Sequence, residues 1–402
     1  MKKKDRIPLL KDHHTHPWLY SSLSSCLDIR FIKDKARALE LIGSQDERDE
    51  LNVVIGWNDS LYNFSPEELN AFSPLVIMNT SLHCFVMNRA AETRLSLQYP
   101  AITANLDNRE WLERNAAQSM GFIMGTKPCN VDRLSAFYGN MARQGIWYAE
   151  EMTLASADEI EIFDSASLAE KTLFWADMAT FASLGEDAKA RVHGIKLFTD
   201  GALGARTAKL SECYLSGEEG VLVYDNEKLL AQLALAAEWN KAIAIHAIGD
   251  RAIEQTVNTI ARLEKGLPET RIEHCQFISR ESAVKAKSLG IALCMQPNFS
   301  FESDFYKDRL PEKFLALNNP FRMLVDEAGY IPGKDLLFGS DGMPHGIQHA
   351  LESALFPPFP GQKLLLSELV AGYCMPDFEN GFIDISIDYE KKKVLTDVTL
   401  KG

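Results

Sequence analysis

The stretch Ala242-Ile243-Ala244-Ile245-His246-Ala247-Ile248-Gly249-Asp250-Arg251-Ala252 decides the fold. Its first five residues alternate small Ala with bulky Ile, so Ile243 and Ile245 face one side of a strand while Ala242, Ala244 and His246 face the other. Gly249-Asp250 then turns the chain into a helix predicted to run to about Lys265, with Ile253, Val257 and Ile260 on one face and Gly266 as its stop. A strand ending in an imidazole, then a short turn and a helix, is how a β/α barrel presents chemistry at its C-terminal rim.

The same unit recurs on both sides. Val192 to Gly201 is the strongest strand of the first half, with Lys196, Phe198 and Asp200 on one face. Arg271-Ile272-Glu273-His274-Cys275 is a strand with a histidine near its end, followed by a helix from Arg280 to Leu289, a strand from Ile291 to Pro297, and Leu336 to Gly342, which ends in Asp341. Gly145 to Glu151 and Thr172 to Trp175 add two more strands, with helical pattern between them from about Ser165 to Lys171, and Ile7 to His16 supplies the first. Eight strands starting near 9, 145, 172, 192, 242, 271, 291 and 336 predict an α/β fold, a (β/α)8 TIM-type barrel over residues 1–360, and the chain's 402 residues suit one such barrel with insertions. An ordered insertion, 17–143, follows the first strand and holds apolar runs at Leu51 to Trp57 and Leu75 to Asn79. Residues 361–402 read as a helix and two alternating strands, Gly381 to Tyr389 and Lys393 to Lys401.

Composition narrows the function classes. A formal charge of −14 with no basic cluster argues against nucleic acid, so the expected partner is a small-molecule substrate. The apolar runs are too short for a membrane span, and Ile7 to Leu10 is too short for a signal sequence, which makes the cytoplasm the expected location. Cys26, Cys84, Cys129, Cys213, Cys275, Cys294 and Cys374 are scattered, with no C-x-x-C pair, so neither a disulfide framework nor a thiolate zinc knuckle is indicated.

The strand ends carry the chemistry. His14 and His16 are two apart, so on a strand both rings leave one face and can converge on one metal ion. Lys196, His246, His274 and Asp341 close later strands at the same predicted rim. Neutral imidazole and carboxylate suit zinc, iron or manganese, and an open catalytic site fits this set better than a closed structural one. A bound divalent ion would make hydroxide available at neutral pH, with Asp341 accepting and passing on its proton. Lys196 lies among core residues, where an unpaired ammonium is expensive; it either pairs with a carboxylate such as Asp200 or is altered, for instance as a CO2 adduct that bridges two metals.

These residues resemble the amidohydrolase superfamily, and within it the YtcJ-like hydrolases of amidohydrolase family 3. Asp12-His13-His14-Thr15-His16 looks like the family's first-strand motif, Gly194 to Ala208 is similar to its lysine strand and following loop, and His246 to Ala252, Arg271 to His274 and Gly339 to Asp341 resemble the remaining ligand strands, while His83 to Asn88 resembles a motif in the family's insertion. The match runs in order from about residue 8 to 350. The resemblance implies a centre of one or two divalent ions, zinc first, held by His14, His16, Lys196, His246, His274 and Asp341, with Asp341 also the catalytic base and Lys196 carboxylated in the two-metal case. It also implies a pocket shaped by the insertion and by the loop from Leu203 to Ala208, with Trp57, His83 and Arg206 as substrate-binding candidates.

Two departures are visible. Relatives build a β-sandwich from segments on both sides of the barrel; here the N-terminal half is expected to be missing, leaving a C-terminal remnant whose open edge a second subunit of a homodimer would cover. In Ser340-Asp341-Gly342-Met343-Pro344 the proline is displaced from its common place. The expected function is hydrolysis of an amide-type C–N bond, whether N-acyl, formamide or cyclic amide. A deaminase, lactonase or isomerase on the same barrel and a non-catalytic metal-binding barrel are the alternatives.

Overall fold

The computed structural model describes residues 2–46 and 50–401. Fifteen strands are numbered here in chain order. Eight of them form one parallel sheet: β2 (Leu10–Thr15), β7 (Ile146–Leu154), β8 (Thr172–Asp177), β9 (Val192–Phe198), β10 (Ala242–Ala247), β11 (Thr270–His274), β12 (Ala292–Met295) and β13 (Leu336–Phe338). Each lies beside its predecessor in this series, as expected of a TIM-type barrel. Among the described residues no backbone ladder joins β13 to β2. The seam is closed by Asp12, whose carboxylate accepts from the Ser340 amide (2.8 Å) and hydroxyl (2.5 Å), and by the Asp341 amide, which donates to the His14 carbonyl (2.7 Å).

The alternation in β10 does what its residue sizes dictate. Ile243 and Ile245 join the large core beneath the helices, with Leu229 and Leu233 of the helix Asn226–Glu238 and Ile253 and Val257 of the helix Asp250–Ile260. Ala242 and Ala244 instead pack with Met152 and Trp175 in a separate cluster, where small residues leave room for the indole. Gly194 is required there, because a Cβ would stand 2.4 Å from the Trp175 ring. The helix after β10 ends at Ile260 rather than near Lys265, and the segment Ser165 to Lys171 holds a helix end and a short 3-10 turn (Ala169–Lys171) instead of a helix of its own.

The insertion folds around its own sheet, β3 (Leu27–Asp28), β4 (Asn52–Trp57), β5 (Leu75–Asn79) and β6 (Phe85–Met87), in that spatial order. It has a small core of its own, including Ile29, Val54, Trp57 and Ile77. The terminal segments correct one expectation. Lys2–Pro8 is not a prelude to the first barrel strand but a separate strand, β1, which pairs antiparallel with β14 (Gly381–Asp388), itself paired with β15 (Lys393–Leu400). The N-terminal strand of the appended sheet is therefore present. Its pattern was hidden because Lys2 to Arg6 are all exposed, leaving no apolar alternation to read. In β14 the buried residues are Ile383, Ile385 and Ile387, one face at period two. Among the described residues no helix is long and apolar enough to cross a membrane.

Gly339 lies where the last strand meets the first, and a Cβ there would come within 2.4 Å of the His14 amide nitrogen. Gly339→Ala must therefore push the seam apart, and is expected to cost about 1–3 kcal/mol in urea unfolding relative to wild type.

Candidate metal centre

The strands bring His14, His16, Lys196, His246, His274 and Asp341 to one cavity, which also contains His83. His14 and His274 lie with ring centroids 4.6 Å apart, His246 and His274 4.5 Å apart, and His14 and His16 5.6 Å apart. Ligating atoms of His14, His274 and Asp341 all lie within 4.8 Å of one another. Asp341 Oδ1 is 3.4 Å from His16 Nε2 and 3.8 Å from His14 Nε2. Both Asp341 (φ 53°) and His274 (φ 69°) have left-handed backbone, which costs of order 1–3 kcal/mol in a non-glycine residue and is held only where the surroundings dictate it.

Each imidazole has one nitrogen engaged from behind, which fixes where the other points. His14 Nδ1 donates to Glu273 Oε2 (2.5 Å), His274 Nδ1 donates to Gln296 Oε1 (2.8 Å), and His16 Nδ1 is bound to Thr153 Oγ1 (3.0 Å). His246 is turned the other way, its Nε2 donating to the Gly201 carbonyl (3.1 Å) with Asp200 Oδ1 at 3.5 Å. The lone pairs left over are Nε2 of His14, His16 and His274, and Nδ1 of His246. Burial, reinforced by neighbouring positive charge, holds His14, His246 and His274 well below the usual imidazole range, so they are neutral at pH 7.

Among the histidine, lysine and aspartate side chains gathered at this rim, two buried nitrogens have no protein partner, His14 Nε2 and Lys196 Nζ. Lys196 does not pair with Asp200, as the sequence allowed. The Asp200 carboxylate is taken by the backbone amides of Ile248 (3.0 Å), Gly249 (2.8 Å) and Lys209 (2.9 Å), where it ties the loop after β9 to the turn after β10. Burial pushes the Lys196 ammonium down to about 8, against the pull of Glu273 and Asp341. Unpartnered buried nitrogens are costly in a protein interior, and this donor set fits a divalent cation: neutral imidazoles, a carboxylate and an orphaned amine facing one space.

Beneath this rim lies a buried ionic layer. Arg271 donates through Nε to Glu273 Oε1 (2.5 Å), stands 2.8 Å from Glu150 Oε2 through an Nη, and covers the Trp175 ring at 4.5 Å. Glu150 also receives the Trp175 indole N–H (2.9 Å) and is bound to His13 Nδ1 (2.9 Å). Burial works to raise the Glu150 carboxyl, but the Arg271 charge and these hydrogen bonds outweigh it and hold it at about 2. None of Arg271, Glu150 and His13 was singled out from sequence, because one residue of each type on a strand gives no pattern.

The three substrate-binding candidates fall differently. His83 lines the cavity, its ring 6.1 Å from that of His246, and its Nδ1 is held by the Glu113 carboxylate (3.0 Å), which also accepts from Thr207 Oγ1 (2.6 Å). Burial alone would lower its pKa; the Glu113 charge wins and the net direction is up. Trp57 does not reach the cavity. It is packed in the insertion's core with its indole N–H on the Tyr62 carbonyl (2.8 Å), because the apolar run that suggested a pocket wall is an interior strand. Arg206 is likewise a structural residue, paired with Asp59 at 2.6 Å, and Asp59 also faces Arg309 and Arg109, clamping the insertion onto the loop after β9. Glu113, Gln276, Glu302 and Tyr306 line the cavity and were missed.

A parallel eight-stranded barrel with a histidine-rich C-terminal rim defines the class, and the chain belongs to the amidohydrolase family, whose model matches residues 7–344. Among curated proteins it is 41% identical to YtcJ of Bacillus subtilis (strain 168) over 117 residues, 28% of this chain and 21% of that one. It is 32% identical over 111 residues to the LONG AFTER FAR-RED 3 protein of Arabidopsis thaliana, 26% of this chain and 19% of that one, so the matched stretches span about a fifth of these relatives. Its barrel is shared with the crystal structure of an uncharacterized metal-dependent hydrolase from Pyrococcus horikoshii OT3 (TM-score 0.66, 22% identity, 88% of this chain and 74% of that one). A counterpart from Pyrococcus furiosus is similar (TM-score 0.64, 20% identity, 91% and 80%).

Arg271 is 1% exposed, and removing it leaves two buried carboxylates without a counter-charge. Arg271→Met is expected to lose about 3–5 kcal/mol of stability at pH 7, read from denaturant unfolding.

Proposed function

We propose that the chain is a metal-dependent hydrolase that cleaves an amide-type C–N bond, in an N-acyl, formamide or cyclic amide substrate. His14, His16, Lys196, His246 and His274 hold one or two divalent ions, zinc first and iron or manganese next, and Asp341 is the general base. The observation that carries this reading is the set of four oriented imidazole lone pairs, that of buried His14 Nε2 among them, gathered in one cavity with the buried, unpartnered Lys196 Nζ. When bound, such an ion supplies Lewis acidity and makes water a nucleophile at neutral pH.

The chain's own residues divide the remaining work. Asp341, with Oδ1 directed at the histidine cluster, accepts a proton from the attacking water and returns it to the departing nitrogen, so that water adds across the C–N bond to give a carboxylic acid and an amine. His83, fixed by Glu113, binds the substrate at the cavity wall. Lys196, whose ammonium burial pushes down to about 8, can lose a proton to solvent and add CO2 at Nζ with release of a second proton; the carbamate so formed would be anionic, would offer two oxygens as ligands, and would remove the cost of a buried ammonium. Glu273, Gln296 and Thr153 hold the ligands from behind, a role whose loss typically costs 10- to 100-fold in metal affinity.

Elemental analysis of protein purified without chelator and with added bicarbonate tests the metal reading. Close to two ions per chain in wild type, with at least one lost in Lys196→Ala, is the expected outcome, and no ion after reconstitution overturns it. Asp341→Asn is expected to retain metal while kcat for an amide substrate falls by about 10²- to 10⁴-fold.

A further inference from the structure

The cavity has a second polar feature that the proposed reaction does not use. Glu302 is buried in its lining, with Oε2 accepting from the Gln276 amide nitrogen (2.7 Å). Gln276 cannot rotate freely, because the same nitrogen also donates to Asn318 Oδ1 (3.0 Å). Asn318 donates in turn to the Phe299 carbonyl (2.9 Å) and Ser303 Oγ (3.2 Å), and Gln362 binds both Ser303 Oγ (2.8 Å) and the Asn318 carbonyl (2.9 Å). This amide network holds Glu302 through Oε2, and among the described residues no hydrogen bond engages Oε1.

Charge around the cavity is one-sided. Among the described residues that line it, Lys196 is the one Lys or Arg, against three acids, Glu113, Glu302 and Asp341. Arg309, whose charge acts on Glu302 from a distance, makes its hydrogen bonds elsewhere, to the Gly204 carbonyl (2.7 Å) and Asn58 Oδ1 (3.3 Å), and pairs with Asp59. With no cation beside it, burial pushes the Glu302 carboxyl up to about 8, so at neutral pH it carries a proton. The rest of the wall is mainly apolar, including Leu19, Leu82, Leu112, Met120 and Phe299. Away from the metal ligands, a substrate carboxylate packed along this wall would lose its hydration beside Glu113 and Glu302, with no guanidinium to receive it.

We propose that the cavity selects uncharged substrates with an apolar arm, and that Glu302 Oε1 contacts them as a neutral hydrogen-bond donor. This names the substrate class of the site and rests on the hydrolase reading above. N-acyl amino acids and other substrates with a free carboxylate are excluded; aryl or alkyl amides and formamides are admitted.

Three probes that differ in one substituent test this: formanilide, 4-formamidobenzoate and 4-formamidobenzylammonium, with dissociation constants measured by ligand-observed NMR on metal-reconstituted protein. Formanilide is expected to bind at least about tenfold more tightly than the benzoate. Glu302→Gln, which keeps a neutral donor, should leave formanilide binding within about twofold, while Glu302→Ala weakens it about three- to tenfold. Equal or tighter binding of the benzoate overturns the proposal, as does an unchanged constant in folded Glu302→Ala or no binding of any probe at millimolar concentration. Tightest binding of the benzylammonium, lost in Glu302→Gln, would show an ionised anchor and also overturn it. Selective binding of formanilide with no turnover of any amide would support this inference while sinking the hydrolase reading.

Discussion

Glu273 is asked to satisfy two groups at once, Arg271 through one carboxylate oxygen and His14 through the other, each at 2.5 Å. A carboxylate buried in a barrel interior survives only when its lone pairs are filled by charge or by good donors. Arg271 meets that need and is itself compensated by Glu150, which also holds His13. The consequence runs upward. Because Glu273 is pinned, His14 must present Nε2 to the rim, and because His14 is neutral it has a lone pair to give. The arrangement of the rim is therefore set one layer below it, by charges that never meet a substrate.

The insertion is bound to the barrel by a different kind of contact. Asp59 gathers Arg206 and Arg309, and Arg309 reaches the Gly204 carbonyl, so the loop after β9 is tied to the insertion. Gly201 allows the closest approach, since a Cβ there would stand 2.5 Å from Glu113 Oε1. The barrel thus supplies His14, His16, His246 and His274, and the insertion, one face of whose sheet packs into the barrel's own core, supplies His83 and Glu113 to the same cavity.

What could be read from sequence followed from period. Strands buried on one side by small residues and on the other by branched ones announce themselves, so all eight barrel strands were legible within a few residues, and His14 and His16 were legible because two-residue spacing has one meaning on a strand. Side chains whose role comes from residues far away in sequence were not. Asp12 closes the seam through Ser340, 328 residues distant, and Glu302 gains its character from Gln276 and the Asn318 network. Trp57 misled for a related reason: an aromatic at the end of an apolar run belongs to a wall or to a core, and only the sheet around it decides which. The strand Lys2–Pro8 escaped notice because its partner, not its own pattern, makes it a strand.

That pairing has a bearing on how the chain is made. Arg6 and Asp384 are 378 residues apart in sequence, yet their side chains meet at 2.7 Å across β1 and β14. On a ribosome Lys2–Pro8 emerges long before Gly381–Asp388, so it is a charged segment without its strand partner until that segment is made. Its five exposed residues at the start, three of them lysine, suit that wait, because a polar strand does not recruit wrong partners. Pairing of β1 with β14, and of β14 with β15, then joins segments far apart in sequence into one three-stranded sheet.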